Sequence, residues 1–236
     1  MQKKFKRVLL KLSGEILGGG INRIIDQLTL EDITNKIKTA LASGIQMAIV
    51  IGGGNICRGS EFAKLQIDRC DADNMGMLAT IINSIALQSA LLKLGISTYL
   101  CSAISIDGVI PKFNKKQVVS LLNKGHVVIC AGGTGNSHLT TDTAAVLRAI
   151  ELECDLLMKA TKVDGVYDKD PMLNKNATHF AKLSYNQIIG NDLKVMDMTA
   201  IAMARDNNLS IVVFEVLAGE SIANVLSNIG KFTIVN

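Results

Sequence analysis

Short apolar runs stopped by glycine or small polar clusters alternate along this chain with segments of helical spacing. No other feature constrains the possible folds as strongly. The run at 8–12 ends in Ser13-Gly14, the run at 45–51 in Gly52-Gly53-Gly54, and the run at 127–131 in Gly132-Gly133. Runs apolar at every position belong to strands covered on both faces. With helical segments between them, they imply a mostly parallel sheet flanked by helices. The spacing predicts helices over 30–41, 75–93, 118–123, 141–151, 200–207 and 221–228, and further strands over 97–101, 155–159, 211–214 and 232–235. The predicted class is α/β, a three-layer α/β/α sandwich around a mostly parallel central sheet. No proline- or serine-rich linker and no repeat divides the chain, so one domain over 1–236 is expected. In such folds ligands bind beyond the carboxyl ends of the strands, where the glycine clusters fall.

Composition narrows the chemistry. A formal charge of +4 suits a handler of small anions. The absence of an arginine-rich run and the few aromatics argue against nucleic acid. Lys3, Lys4, Lys6 and Arg7 read as a solvated end. Five cysteines without a CxxC pair, in a chain rich in apolar residues, read as reduced thiols of a cytoplasmic protein. A charged N-terminus leading straight into a strand predicts no signal peptide. The apolar stretch 75–92 contains Thr80, Asn83, Ser84, Gln88 and Ser89, which makes it a poor membrane span and a better core helix, one that could also form a subunit interface.

The familiar nucleotide motifs are missing. No Walker string occurs, and both candidate dinucleotide fingerprints fail at their last position, at Cys57 and at His138. Lys11 lies inside the first apolar run, where burial without an anion is costly. Lys11-Leu12-Ser13-Gly14 reads either as a phosphate-binding charge with a nest of amides or as an edge lysine reaching water. Gly52-Gly53-Gly54 removes every Cβ from a strand-to-helix turn, and Arg58 adds a planar donor fork, which together suit a phosphate. In the loop 132–142, Thr140 or Thr141 is placed to cap a helix whose first turn holds Asp142. That carboxylate either serves the helix end or fixes active-site lysines. The segment 159–171 supplies Lys159 and Lys162, Tyr167 as a possible purine partner, and carboxylates. His126, His138 and His179 are isolated, so no zinc site is expected and no metal-ligating protein residue is assigned.

Taken together, these strings resemble the bacterial-type UMP kinases (uridylate kinases) of the amino acid kinase family. The resemblance rests on Lys11-Leu12-Ser13-Gly14, Gly52-Gly53-Gly54-Asn55 with Arg58-Gly59, Asp73 with Met75-Gly76-Met77-Leu78-Ala79-Thr80, Thr134-Gly135-Asn136 through Thr140-Thr141-Asp142, 159–166, and Lys194-Val195-Met196-Asp197. It implies the amino acid kinase fold, with a UMP-binding lobe over about 1–150 and an ATP-binding lobe over about 151–236. It places Lys11, Leu12, Ser13, Gly14, Gly54, Arg58, Thr161, Tyr167 and Asp170 on ATP. It places Gly53, Asp73, Thr134, Gly135, Asn136, Ser137, His138, Leu139, Thr140 and Thr141 on UMP. It also implies Mg²⁺ carried mainly by ATP, a homohexamer, UTP and GTP as effectors, and a place in pyrimidine nucleotide biosynthesis. One departure stands out. Relatives carry a glycine-rich stretch ending in Gly-Ile-Asp before the first long helix, whereas here 18–26 reads Gly-Gly-Gly-Ile-Asn-Arg-Ile-Ile-Asp. That change weakens the expectation of GTP activation and leaves the catalytic assignments intact.

In such a reaction the acceptor phosphate is already ionised, its second pKa being near 6, so no base is required. The barrier is repulsion between two polyanions, and positive charge must offset it. Lys11 is the first candidate for that role, Lys159 or Lys162 assists, and Asp142 orients the lysine. Two other readings compete with this one. A kinase of acylamino acids or carbamate would lack the Asp73 and Thr134–Thr141 set. A nucleotide-binding regulator would have lost Lys11, Arg58 or Asp142.

Overall fold

The computed structural model describes residues 5–19, 23–57, 65–217 and 221–236. Arg58, Gly59, Lys3, Lys4 and the middle of the 18–26 segment lie outside the described residues. In chain order the elements are β1 (Arg7–Leu12), α1 (Gly14–Leu17), α2 (Gln27–Leu41), β2 (Gln46–Ile51), α3 (Arg69–Lys93), β3 (Thr98–Ser102), α4 (Lys115–Asn123), β4 (Val127–Ala131), α5 (Thr141–Glu151), β5 (Leu156–Thr161), β6 (Val166–Tyr167), β7 (His179–Phe180), β8 (Lys182–Leu183), α6 (Tyr185–Gly190), α7 (Met198–Asp206), β9 (Ser210–Glu215), α8 (Ile222–Leu226) and β10 (Thr233–Val235).

Eight strands form the central sheet in the order β3-β4-β2-β1-β5-β9-β10-β8. The first six named are mutually parallel; β10 pairs antiparallel with β9 and β8 pairs parallel with β10, so these last two run opposite to the rest. β1 is central. From it the chain places β2 beside β1, β3 at the sheet edge and β4 between them, then crosses to place β5 on the other side of β1. The tip of β1 is therefore a switch point, where the connections diverge and leave a crevice.

Strand alternation divides the core in two. In β1, Val8, Leu10 and Leu12 face a layer made by α2, α3 and α8, packing with Ile33, Ile37, Leu87 and Ile222. Leu9 faces the opposite layer, with Val118 of α4, Val146 of α5, Ile188 of α6 and Ile201 of α7. Each such side chain, fully buried, contributes about 1.5–3 kcal/mol. In β5 the pattern repeats: Leu156, Met158 and Ala160 face the first layer, and Leu157 the second.

By length and composition α3 could cross a membrane. Its packing is that of a core helix: Met77, Ala79, Ile81, Leu87 and Leu91 are buried together with Thr80, Asn83 and Ser84. Its other face leaves Met75, Leu78, Ile82, Ile85 and Leu92 exposed. Several short elements were not legible in the sequence, namely α1, α6 and β6 to β8. They are too short to show a period, and a capping box between Ser184 and Gln187 starts α6.

Candidate active site

Lys11 and Lys159 are cross-strand neighbours in the parallel pairing of β1 and β5. Lys11 has the parity of Leu9, and Lys159 that of Leu157, so both side chains rise on the face covered by α5 and α7. The first turn of α5 meets them there. Thr140 caps that helix, its hydroxyl accepting from the amides of Asp142 and Thr143, and Asp142 thereby sits at the helix start. Lys11 Nζ is 2.7 Å from Asp142 Oδ1, and Lys159 Nζ donates to Oδ2 at 2.7 Å. Lys159 also donates to the Val195 carbonyl at 2.5 Å.

One carboxylate thus spans two ammonium groups, leaving a net charge of one positive unit in a largely buried trio. The Lys11 contact is an ion pair without hydrogen-bond alignment, so the Oδ1 atom has no aligned donor. Burial alone would raise the Asp142 pKa, but the two lysines outweigh it and hold the carboxyl below its usual range. Burial is also the largest influence on Lys159. It lowers this lysine's pKa despite the attraction of Asp142, and Lys11 adds to the lowering.

Two cavities flank this trio, one lined by Lys11 and Asp142 and the other by Lys159. The smaller, about 250 Å³, is lined by Lys11, Ser13, Gly14 and Gly52 to Gly54 on one side and by Thr140 to Asp142 and Asp197 on the other. The larger, about 620 Å³, runs from Lys159 and Thr161 past Val163 to Tyr167, Asp170 and Met172, with 191–195 opposite. Lys11 therefore shares a cavity with the three-glycine turn.

Backbone proximity shapes the small cavity. A Cβ on Gly14 would overlap the Gly52 carbonyl oxygen, and one on Gly53 would lie 2.8 Å from both Ala79 Cβ and Gly76 O. Only glycine lets the β1 and β2 turns and α3 approach so closely. The three-glycine turn is further held by Asn83, fully buried in α3, whose Nδ2 donates to Gly52 O at 2.8 Å and to Asn55 Oδ1 at 2.7 Å. Away from both cavity linings, Asp73 Oδ2 accepts from the His138 amide at 2.7 Å and from Arg69 Nε at 2.9 Å. Burial works to raise the Asp73 pKa, yet these donors bring it below the usual value. The contact holds the loop 134–139 against the start of α3, outside the lining of the small cavity.

Lys162 stands apart from the trio and pairs with Glu15 at 3.2 Å. Asp197, the last residue of the Lys194-Val195-Met196-Asp197 string, caps α7. It accepts from the Ala200 amide at 2.9 Å, from Thr143 at 3.0 Å and from the Thr140 hydroxyl. It therefore ties two helix starts together at the cavity. An aspartate before a helical run was the available signal. Among the described residues, no three His, Cys, Asp or Glu side chains converge as metal ligands. Asp142 is engaged by lysines and Asp197 by amide and hydroxyl donors, a donor set that fits an ion held chiefly by a nucleotide's phosphates.

A sheet that switches direction at β1, with lysines at two adjacent strand tips and a glycine turn beside them, has a counterpart among known proteins. The Amino acid kinase family profile matches residues 6–215, and the chain belongs to that family. Within it the chain falls among uridylate kinases. It is 47% identical over 232 residues to the uridylate kinase of Paramagnetospirillum magneticum, covering 98% of this chain and 97% of that one. Crystal structures agree. The UMP kinase of Ureaplasma parvum superposes with a TM-score of 0.93 at 38% identity, covering all of both chains. That of Bacillus anthracis superposes with a TM-score of 0.96 at 37% identity, covering 99% of this chain and 97% of that one.

Proposed function

We propose that this nucleoside monophosphate kinase transfers the γ-phosphoryl group of Mg²⁺-ATP to UMP, giving UDP and ADP. The observation that carries this reading is the Lys11–Asp142–Lys159 trio flanked by two cavities. One cavity has a size and a backbone-lined wall suited to phosphate groups, and the other has room for a nucleoside.

A phosphate oxygen of UMP attacks the γ-phosphorus in line as the bond to the β–γ bridging oxygen breaks, and no covalent enzyme intermediate forms. Each pair of like charges at ~4 Å costs roughly 4 kcal/mol at an effective dielectric of 20. Lys11 and Lys159, fixed before the substrates arrive, offset that repulsion without reorganisation. Asp142 keeps their ammonium groups in place and takes no proton. The start of α5 adds a favourable dipole. Mg²⁺ bound to ATP would supply further neutralising charge.

Lys11 to Gly14 and Gly54 serve the ATP phosphates, and Thr161, Tyr167 and Asp170 the adenosine. Gly53, Asp73 and Thr134 to Thr141 serve UMP, with Asp73 on the ribose. The exposed apolar stripe of α3 supports self-association, with a homohexamer the expected assembly. The reaction has a natural place in cytoplasmic pyrimidine nucleotide synthesis.

A coupled assay of ADP formation with Mg²⁺-ATP against UMP, CMP and dUMP tests the reading. UMP is expected to be the best acceptor. Absence of ADP formation with all three would overturn it.

A further inference from the structure

The wall of the larger cavity depends on a residue that does not line it. Tyr167 belongs to β6, a two-residue strand paired only with the two-residue β7. So short a ladder fixes a side chain poorly. The ring is held instead by its hydroxyl, which donates to Asp164 Oδ1 and accepts from Lys231 Nζ at 2.9 Å. Lys231 also pairs with Asp164 Oδ2 at 2.7 Å, closing a three-membered circuit. The ammonium stands 5.4 Å from the Tyr167 ring centroid. The His179 ring lies edge-on at 5.2 Å. The hydrogen bonds it donates to Asp164 and Tyr167 hold the Lys231 ammonium above the usual lysine range. Lys231 lies in the turn before β10, far along the chain from the rest of the wall. Nothing in the catalytic trio uses it.

We propose that Lys231 is a positioning residue for the nucleobase of ATP, acting through Asp164 and Tyr167 to set the ring against which the base packs. The role rests on the reading that the larger cavity takes the adenosine of ATP. Because the pair is partly exposed, its strength is that of a surface ion pair, and the expected effect is modest: about a two- to fivefold change in ATP affinity.

The test is calorimetric titration of full-length protein with Mg²⁺-ATP in the absence of UMP, followed by steady-state kinetics. Lys231→Met keeps the aliphatic stem and removes the donor. Its Kd and KM for ATP should rise about two- to fivefold, with kcat, KM for UMP and the thermal midpoint unchanged. Lys231→Arg should restore ATP affinity. Adding Lys231→Met to Tyr167→Phe should weaken ATP no further than Tyr167→Phe alone, because both remove the same contact. An unchanged ATP Kd in Lys231→Met would overturn the proposal. So would a loss shared by kcat, KM for UMP and thermal midpoint, which marks general structural damage, or failure of the wild type to bind ATP. If the wild type binds ATP and the Lys231 shift appears, but no UDP forms, then the acceptor reading fails and this inference stands.

Discussion

On the β2 side of the cleft the wall is backbone held by backbone. The β1 and β2 turns touch across Gly14 and Gly52, α3 presses on Gly53, and the buried amide of Asn83 fixes the turn from behind. On the β5 side the wall is an excursion over 162–183 with two-residue strands, held by side-chain tethers such as Asp164, Tyr167 and Lys231. The difference matches the demands of the chemistry. The reacting phosphates need donors fixed within fractions of an ångström, and short, close-packed turns on a buried sheet provide that. A nucleoside needs a fitted surface, where small displacements cost affinity more than rate.

Substitutions on the two sides should therefore differ in kind as well as in size. Lys11→Ala, where the sides meet, should have the largest effect. Removing one preorganised charge should lower kcat by about 10²–10³-fold while UMP binding, measured by calorimetry, persists. Equal turnover by the variant would remove Lys11 from the mechanism. Gly14→Ala tests the backbone wall, because its methyl group would overlap the Gly52 carbonyl as well as Asn55 Oδ1, and the backbone cannot yield as a flexible side chain can. A fall of about 10²-fold in kcat/KM is expected, with kcat falling rather than KM alone. Tyr167→Ala tests the side-chain wall. Its loss should appear in KM for ATP, about tenfold by analogy with base–aromatic stacking, with kcat nearly kept. If Gly14→Ala changed only KM, or Tyr167→Ala only kcat, the contrast would collapse.

The smallest effect concerns the trio's protons. Asp142 and Lys159 both have lowered pKa values in the folded protein, so each binds fewer protons folded than unfolded. Stability should then rise with pH inside each group's window. For Asp142 the contribution is present above its ordinary value of 3.8 and is lost as the pH falls through the lower folded value. For Lys159 a cost at neutral pH is relieved on approaching 10.5. Denaturant titrations below pH 4 should show a shallower slope in Asp142→Asn than in the wild type. An identical slope would mean that the carboxylate is not held by the lysines.

Much of this is legible in the sequence. Full burial of the strands is a local pattern, and it marked β1, β2, β4 and β9 to within a residue or two. The glycine clusters and Lys11 stand out because each is expensive in an apolar run unless something compensates it. Other residues carried no such mark. Asn83 reads as one polar residue among several on a long helix. Lys231 reads as a solvated lysine near the end of the chain. The 162–183 excursion has no period to detect.

From its sequence alone the chain determined an α/β sheet with turns and cationic side chains at the strand tips, because hydrophobic alternation and glycine placement act over a few residues. The tertiary structure decided that Lys11 and Lys159 stand side by side on one face, with the first turn of α5 bringing Asp142 between them. Strand register and helix docking are set by packing between segments remote in the chain, and only that packing turns two separate lysines into a single charged site.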